Sequence, residues 1–432
     1  MTALLSNAGM IAFLLFGLFV FMNFPIAVAV GLASILTIIV ATNVPLTVVQ
    51  YVFSGALDNF PLLATPLFVM VGALMTRTGI ASRMVHLAQV VFGSMPGGLG
   101  ITTIMGGCLL GSISGSNVAT VAALSFLVPY MRKANYPAPL SVTIVAAGCT
   151  FGVVIPPSMN FIIYGVITDT SIARLFAAGI FPGLLMATIL STYVYIYARR
   201  HNLRGEVQER SWSVFFASLK DAFWGLMCPV IILGGIYCGV FTPTEAAAVA
   251  VVYIFIVGRF IYKKLTFKEL PQLFFDAGQT WGVIILIIAT AALFSWLLQT
   301  QGLAVLLAKV LLETFEGSKV LILLAINAIL VLSGAFIEPV AAMYMLMPIF
   351  KPVLMQIGVD MVHFGAIMTV NLSMAHLTPP VGLALYIAAQ IGGVPLAPAF
   401  RAAIPFVLCE MLAIMLVTYI PSIALFLPNA MF

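Results

Sequence analysis

Long apolar runs, interrupted by short polar or glycine- and proline-bearing segments, fill most of the 432 residues. A run of roughly 18 to 25 residues suits one crossing of a hydrocarbon core about 30 Å thick at 1.5 Å per residue. Such runs predict membrane spans at 5–22, 25–42, 61–78, 139–167, 173–198, 222–240, 244–262, 279–300, 361–390 and 400–426. Two further segments, 98–134 and 320–356, are too long for one crossing and carry a polar tip midway. Each predicts a helical hairpin that enters and leaves on one face. Shorter stretches of mixed polarity at 45–60, 80–95, 210–221, 267–276 and 302–316 predict helices lying along the interface. The longest polar loop runs only from Arg199 to Arg210, which excludes a soluble domain or a long linker.

The two hairpin segments resemble each other. Gly111-Ser-Ile-Ser-Gly-Ser-Asn117 leads to Pro129 and Arg132 and then to Pro156-Pro157. Ser333-Gly-Ala-Phe-Ile-Glu338 leads to Pro348 and Lys351 and then to Pro379-Pro380. The shift is 219 residues, 348 minus 129, and it also superposes Gly334 on Gly115 and Lys351 on Arg132. A glycine-bearing polar tip and a double proline, occurring twice in apolar sequence, mark a transporter built from a repeat with broken helices.

Composition fixes the solvent. With 63% hydrophobic and 7% charged residues, the chain cannot clothe a water-facing surface and belongs in a bilayer. The net charge of +5 comes from loops and carries no message about nucleic acid. Cys108, Cys149, Cys228, Cys238 and Cys409 lie in or beside apolar runs without pairing or metal spacing, and read as packing residues. No positive charge precedes the first apolar run and no clear cleavage site follows it, so the first segment reads as a retained span.

Basic residues give orientation. Placing Arg77 and Arg83 in the cytoplasm also puts Arg132, Lys133, Arg199, Arg200, Arg204, Arg210, Lys220, Arg259, Lys263, Lys264, Lys268 and Arg401 there, 14 of the 18 Lys and Arg. Arg174, Lys309, Lys319 and Lys351 remain outside, and both termini are expected to be periplasmic. Five single crossings separate the hairpins. Five is odd, so the hairpins enter from opposite faces and the halves form an inverted repeat.

The chemistry belongs to the tips and the double prolines. Proline lacks an N–H and obstructs the carbonyl one turn back, so Pro156-Pro157 and Pro379-Pro380 unwind their helices inside the membrane. Unwound carbonyls in hydrocarbon cost several kcal/mol each unless something binds them. Carbonyls near Gly152, Ile155 and Pro157, with Ser112, Ser114, Ser116 and Asn117, form an oxygen cage suited to a hard cation. The second half offers carbonyls near Gly334, Ala375 and Val381 with the Thr378 hydroxyl. No ligand-spaced His or Cys is present, which argues against a transition metal.

An anion has the opposite need, exposed N–H groups at helix starts. Ser116, Asn117, Ser158, Asn160 and Asn371 are expected near the half-helix N-termini where a carboxylate would sit. Small and hydroxyl residues in membrane helices also serve close packing, but three Ser, two Gly and one Asn within Gly111 to Asn117 favour ligation. Glu338 is an intramembrane carboxylate at the second tip, either functional or a turn stabiliser. His376 reads as a proton carrier or a hydrogen-bonded structural histidine. Glu245, after Thr242 and Pro243, fits a helix start. Glu410 has no evident partner.

At these residues the chain resembles the large membrane subunit of tripartite ATP-independent periplasmic (TRAP) transporters over nearly its whole length. The resemblance is carried by Gly111 to Ser116, Gly152-Val-Val-Ile-Pro-Pro-Ser158, Gly234-Gly-Ile-Tyr237 with Phe241-Thr-Pro-Thr-Glu-Ala-Ala-Ala248, and Asn371 leading to Thr378-Pro-Pro-Val-Gly382. It implies an all-α polytopic protein of the bacterial inner membrane, with an inverted-repeat elevator fold, two re-entrant hairpins and two broken helices. It implies sodium as the coupling ion at both cages, with Glu338 joining the second, and no organic cofactor. A mobile transport domain would comprise 96–172 and 301–396, the scaffold and its interfacial arms 1–95 and 173–300, and a final transmembrane helix 397–432. The implied partners are membrane lipid, a small four-helix membrane subunit encoded separately, and a periplasmic binding protein that delivers a C4-dicarboxylate or sialic acid. The chain departs from the usual pattern in carrying Glu338 where Asp is common and Ala375 where Gly is common.

A membrane enzyme would need a catalytic cluster, and no HExxH motif, facing aspartate pair or convergent Ser/His/Asp set is present. A channel also uses re-entrant hairpins and carbonyl cages, and a stand-alone sodium/anion carrier would dispense with the binding protein. Saturable, sodium-dependent flux that requires a binding protein separates the three.

Overall fold

The computed structural model describes residues 8–203 and 211–432. Residues 5–7 of the first expected span, and Arg204, Arg210 and the loop between them, lie outside the described residues. No strand occurs among those described, and the chain runs helix to helix.

The first half consists of α1 Ala8–Phe21, α2 Ile26–Ala41, α3 Thr47–Leu57, a short 3-10 turn Phe60–Leu63, α4 Ala64–Thr78 and α5 Ile80–Phe92. Then come α6 Gly98–Ser114, α7 Asn117–Leu124, α8 Leu127–Lys133, α9 Ala138–Cys149 with a 3-10 turn Thr150–Val153, α10 Met159–Thr168 and α11 Ile172–Arg200. The second half comprises α12 Trp212–Tyr237, α13 Pro243–Ile256, α14 Leu270–Thr300, α15 Leu303–Thr314, α16 Lys319–Phe336, α17 Pro339–Gln356, α18 Met361–Met374, α19 Leu383–Gly392, α20 Leu396–Tyr419 and α21 Ser422–Met431. Among the described residues, seven helices are long and apolar enough to cross a membrane unaided. Several others are shorter because a tip or a double proline divides them.

The two expected hairpins are α6 to α8, turning at Gly115-Ser116, and α16 to α17, turning at Ile337-Glu338. In the first, the returning leg is itself divided between Leu124 and Leu127, whereas α17 runs unbroken through Pro348, the counterpart of Pro129. Both broken helices divide where expected, α9/α10 around Pro156-Pro157 and α18/α19 around Pro379-Pro380, and both Pro-Pro bonds are cis.

Three expected boundaries are corrected. The described part of the interfacial 210–221 and the span 222–240 form one helix, α12, which continues through Asp221, whose Oδ1 lies 3.0 Å from Arg83 Nε on α5. Likewise 267–276 and 279–300 join into α14, whose Asp276 takes a bond from Gln272 one turn earlier at 2.8 Å. Conversely 400–426 divides into α20 and α21 at Ile420-Pro421. Glu245 takes the expected place at a helix start: Thr242 Oγ1 accepts from its N–H at 3.3 Å and its carboxylate accepts from the Thr242 N–H at 2.8 Å.

The repeat extends to the whole architecture. Helix starts recur at Ile80 and Leu303 (223 apart), Ala138 and Met361 (223), and Ile172 and Leu396 (224). Contacts between the halves are reciprocal. The pair α2 and α14 mirrors α13 and α4, α10 and α17 mirrors α19 and α7, and α11 and α18 mirrors α20 and α9. Reciprocal contact is what an approximate twofold axis produces. Five crossings still separate the hairpins, namely the α9/α10 pair, α11, α12, α13 and α14, so the hairpins insert from opposite faces.

Two packing groups result. Helices α1 to α4 and α12 to α14 pack on one another. The hairpins, the broken helices, α11, α20 and α21 form the other group, and α4 and α14 line the seam between them.

Candidate functional site

Hairpin 1 and the first broken helix meet backbone to backbone, which explains the glycines. A side chain at Gly111 would place its Cβ 2.8 Å from Phe151 O, and one at Gly152 would stand 2.9 Å from Asn117 Oδ1 and 3.0 Å from Ser116 O. Gly115 turns the tip at φ +55°, a conformation that suits glycine. Its missing side chain leaves room beside Pro157 O, 3.0 Å from an ideal Cβ. The sequence-separated halves of the first cage are therefore in contact.

Within it, the fully buried Ser114 hydroxyl lies 3.0 Å from Thr120 Oγ1 and 3.3 Å from Ser116 O, and Thr120 Oγ1 donates to Ser116 O at 2.9 Å. Sequence reasoning missed Thr120; its position four residues after Ser116, one turn into α7, was the available signal. Asn117 is 4% exposed, and neither its Oδ1 nor its Nδ2 has a partner. Buried amides are rarely left so. Ser112 turns away, its hydroxyl donating to Leu109 O at 2.7 Å within its own helix. The whole stretch from Phe151 through Ser158, including Gly152, Ile155 and Pro157, is buried.

The anion candidates divide. Ser158 caps α10: its Oγ donates to Val153 O and accepts from the Phe161 N–H at 3.4 Å. Asn160, in the first turn of the same helix, is 4% exposed and its Nδ2 has no partner. Asn371 Nδ2 donates to Asn327 Oδ1 at 3.1 Å, and Asn327 Nδ2 in turn donates to Thr418 Oγ1 at 3.0 Å. This buried chain ties α18 to α16 and α20, and leaves Asn371 Oδ1 without a partner.

The second cage is built differently. Gly334 on hairpin 2 faces Ala375, whose Cβ lies 2.9 Å from an ideal Cβ on the glycine. The Ala375 carbonyl accepts from the Thr378 N–H at 3.3 Å, and the Thr378 hydroxyl donates to Met374 O at 2.9 Å. Glu338 Oε2 accepts from the N–H groups of Val340 and Ala341 at 2.9 and 3.3 Å, so this carboxylate caps α17. Pro379, Pro380 and Val381 are exposed, unlike their enclosed counterparts in the first half.

Beyond the tips, Arg132 Nη2 donates to Gly392 O at 2.5 Å and Lys351 Nζ to Thr168 O at 3.2 Å. Each hairpin thus ends in a cation on the last carbonyl of the opposite half's broken helix. Glu410 finds its partner in Thr150, 2.9 Å away, at the start of the turn leading into the first break, while its Oε2 has none. His376 sits half-buried at the second break. Among the described residues, no cluster of His, Cys, Asp and Glu could hold a metal.

The family model of the DctM component of tripartite ATP-independent periplasmic transporters matches residues 13–423. The chain belongs to the TRAP DctM family. It is 39% identical over 404 residues to the C4-dicarboxylate TRAP transporter large permease protein DctM of Pseudomonas aeruginosa, covering 93% of this chain and 94% of that one. It is 34% identical over 410 residues to the sialic acid TRAP transporter large permease protein SiaM of Vibrio cholerae, covering 95% and 96%. The isethionate TRAP transporter permease protein DctMQ of Oleidesulfovibrio alaskensis is 38% identical over 413 residues. That match takes in 95% of this chain but 65% of the relative's length. In structure, the Alcanivorax borkumensis YdaH transporter matches with a TM-score of 0.64 at 18% identity, over 95% of this chain and 98% of that one. The likeness is one of fold alone. This DctM-family chain is a multi-pass inner-membrane protein and a transporter component, not an enzyme.

Proposed function

We propose that this DctM-family permease takes up an organic acid by sodium-coupled secondary transport, receiving it from a periplasmic binding protein and working with a small four-helix membrane subunit. Asn117 carries the reading. Its buried amide has no protein partner and lies against Gly152 in an enclosure of carbonyl and hydroxyl oxygens, the donor set a hard cation takes. The first sodium would be held by Ser114, Ser116 and Asn117 with the carbonyls of Gly152, Ile155 and Pro157, and Thr120 positions Ser116. The second would use the carbonyls of Gly334, Ala375 and Val381 and the Thr378 lone pairs, with Glu338 holding the N-terminus of α17. A bound sodium supplies positive charge beside the two helix starts. There Asn117 and Asn160 offer amide donors to the acid, Ser158 holds the start of α10, and Asn371 anchors the second half.

The mobile body comprises both hairpins, both broken helices, α11, α20 and α21, and it slides along α4 and α14. Counting α11 with this body departs from the sequence reading of 173–300 as scaffold and is supported by its contacts with hairpin 1 and with α18. Basic loops place both termini in the periplasm. The names of relatives favour a C4-dicarboxylate or sialic acid, and the isethionate relative extends the class to sulfonates.

The deciding experiment is uptake into proteoliposomes containing this chain and its small subunit, with the cognate binding protein, screening these acids with and without an inward sodium gradient. Saturable uptake that needs both sodium and the binding protein is expected. Uptake without either overturns the reading in favour of a stand-alone carrier, and non-saturating flux in favour of a channel.

A further inference from the structure

A cleft of about 370 Å³ opens on the seam between the two packing groups, lined by no residue of either cage. One wall comes from Asn59 after α3 and from Ser295, Trp296 and Gln299 near the end of α14; the other comes from Tyr344 and Lys351 on α17. Tyr344 already stands six residues beyond the hairpin 2 tip at Glu338 (344 minus 338). The rest of the lining is apolar, and Lys351 is its single charged side chain. Lys351 forms no ion pair among the described residues, and its bond to Thr168 O occupies one of three N–H donors.

We propose that this cleft is a second binding site for a small organic-acid anion, distinct from the site at the tips. The acid group would lie on Lys351 Nζ, the amides of Asn59 and Gln299 would meet the polar end, and Trp296 would flank the carbon skeleton. The observations fit on three counts. A cavity of this size suits a small ligand, and a few polar groups in an apolar lining are what such sites present. An uncompensated cation in a partly enclosed cleft, shielded on its apolar sides, attracts a carboxylate or sulfonate more strongly than one in open solvent. Finally, the two walls belong to different packing groups. An acid held here is therefore released when the groups move past each other, which makes the cleft a staging site on the way to the tips. This role rests on the transport reading above; binding in the cleft does not.

The test uses the detergent-solubilised chain with its small subunit, carrying Trp212→Phe, Trp224→Phe and Trp281→Phe, and with every tryptophan of the subunit replaced by Phe, so that Trp296 is the remaining tryptophan. Succinate is titrated without sodium at fixed ionic strength, and isethionate separately, to distinguish carboxylate from sulfonate. We expect a saturable change in Trp296 fluorescence that Lys351→Gln weakens about tenfold or more, the scale of one charged hydrogen bond, and that Lys351→Arg largely retains. Asn59→Ala and Gln299→Ala, on the wall that does not touch α10, weaken it less, and Asn117→Ala leaves it unchanged. The proposal falls if neither acid gives a saturable signal, or if Asn117→Ala removes the signal while Lys351→Gln spares it. Sodium-driven uptake measured in parallel separates the two claims: uptake without cleft binding sinks only this one, and cleft binding without sodium-driven uptake sinks only the transport reading.

Discussion

At the scale of single residues, the site depends on contacts too close for side chains. Gly152→Ala would force a Cβ against Asn117 Oδ1 and Ser116 O. It is expected to cost about 1 to 3 kcal/mol of overpacking and to abolish sodium-dependent uptake even where the protein still inserts; normal uptake by this variant would show that the tip and the break do not meet. Asn117→Ala removes one oxygen ligand without adding bulk, so apparent sodium affinity should fall about tenfold, close to 1.4 kcal/mol, as read from uptake against sodium concentration. An unchanged curve would remove Asn117 from the cage. Asn117 was legible in the sequence because an amide in an apolar hairpin needs a reason to be there. Thr120 was not, because a lone hydroxyl in a membrane helix usually bonds its own backbone. Only the fold shows that it also faces Ser114.

Elements are governed by what ends them. The double prolines remove N–H donors wherever they occur, so both breaks could be placed to the residue from sequence. Pro156→Ala restores one donor and partly re-forms the helix up to the remaining Pro157, withdrawing carbonyls from the first cage. Transport should then drop about tenfold or more with normal membrane insertion, and uptake at the usual rate would show that the break does not depend on this proline. The ends of α12 and α14 were misplaced for the opposite reason. Mixed polarity at 210–221 and 267–276 suggested separate interfacial helices, but helical structure runs on through Asp221 and Asp276, whose carboxylates meet Arg83 and Gln272 at the surface. The Arg132 contact to Gly392 O is a cation on a helix C-terminus, and Arg132→Gln should lower stability by about 0.3 to 1 kcal/mol, visible as a reduced Tm in detergent. An unaltered Tm would mean that this exposed contact contributes nothing.

The whole molecule is a pair of halves sharing two packing groups, and its central question is whether those groups move. Gly72 on α4 faces the hairpin 1 tip, with an ideal Cβ 3.2 Å from Ser114 Cβ and 3.4 Å from Ala119 Cβ, the latter just short of the roughly 3.5 to 4.5 Å that a disulfide spans. Gly72→Cys with Ala119→Cys, in a background lacking the five native cysteines, should cross-link on oxidation and halt uptake, with recovery after reduction. Full activity in the cross-linked state would rule out sliding along α4. The asymmetry of the two breaks also appears only at this scale. The first is buried throughout and the second is exposed at Pro379 to Val381, although the repeat treats them alike. In the first half α11 closes over the break, with Gly179 beside Val154 O and Gly183 beside Ile155.

The sequence by itself determined the membrane environment, the duplicated hairpins, the two breaks and their opposed insertion, because hydropathy, proline chemistry and the parity of crossings are local or additive properties. The tertiary structure alone decided which polar groups stay unpartnered, as in Asn117, and which are absorbed into caps, as in Ser158 and Glu338. It also packed α11 on hairpin 1 and opened the cleft beside Lys351. A hydrogen bond or a cavity depends on which distant atoms arrive within a few ångströms, and the order of residues along a chain does not state that.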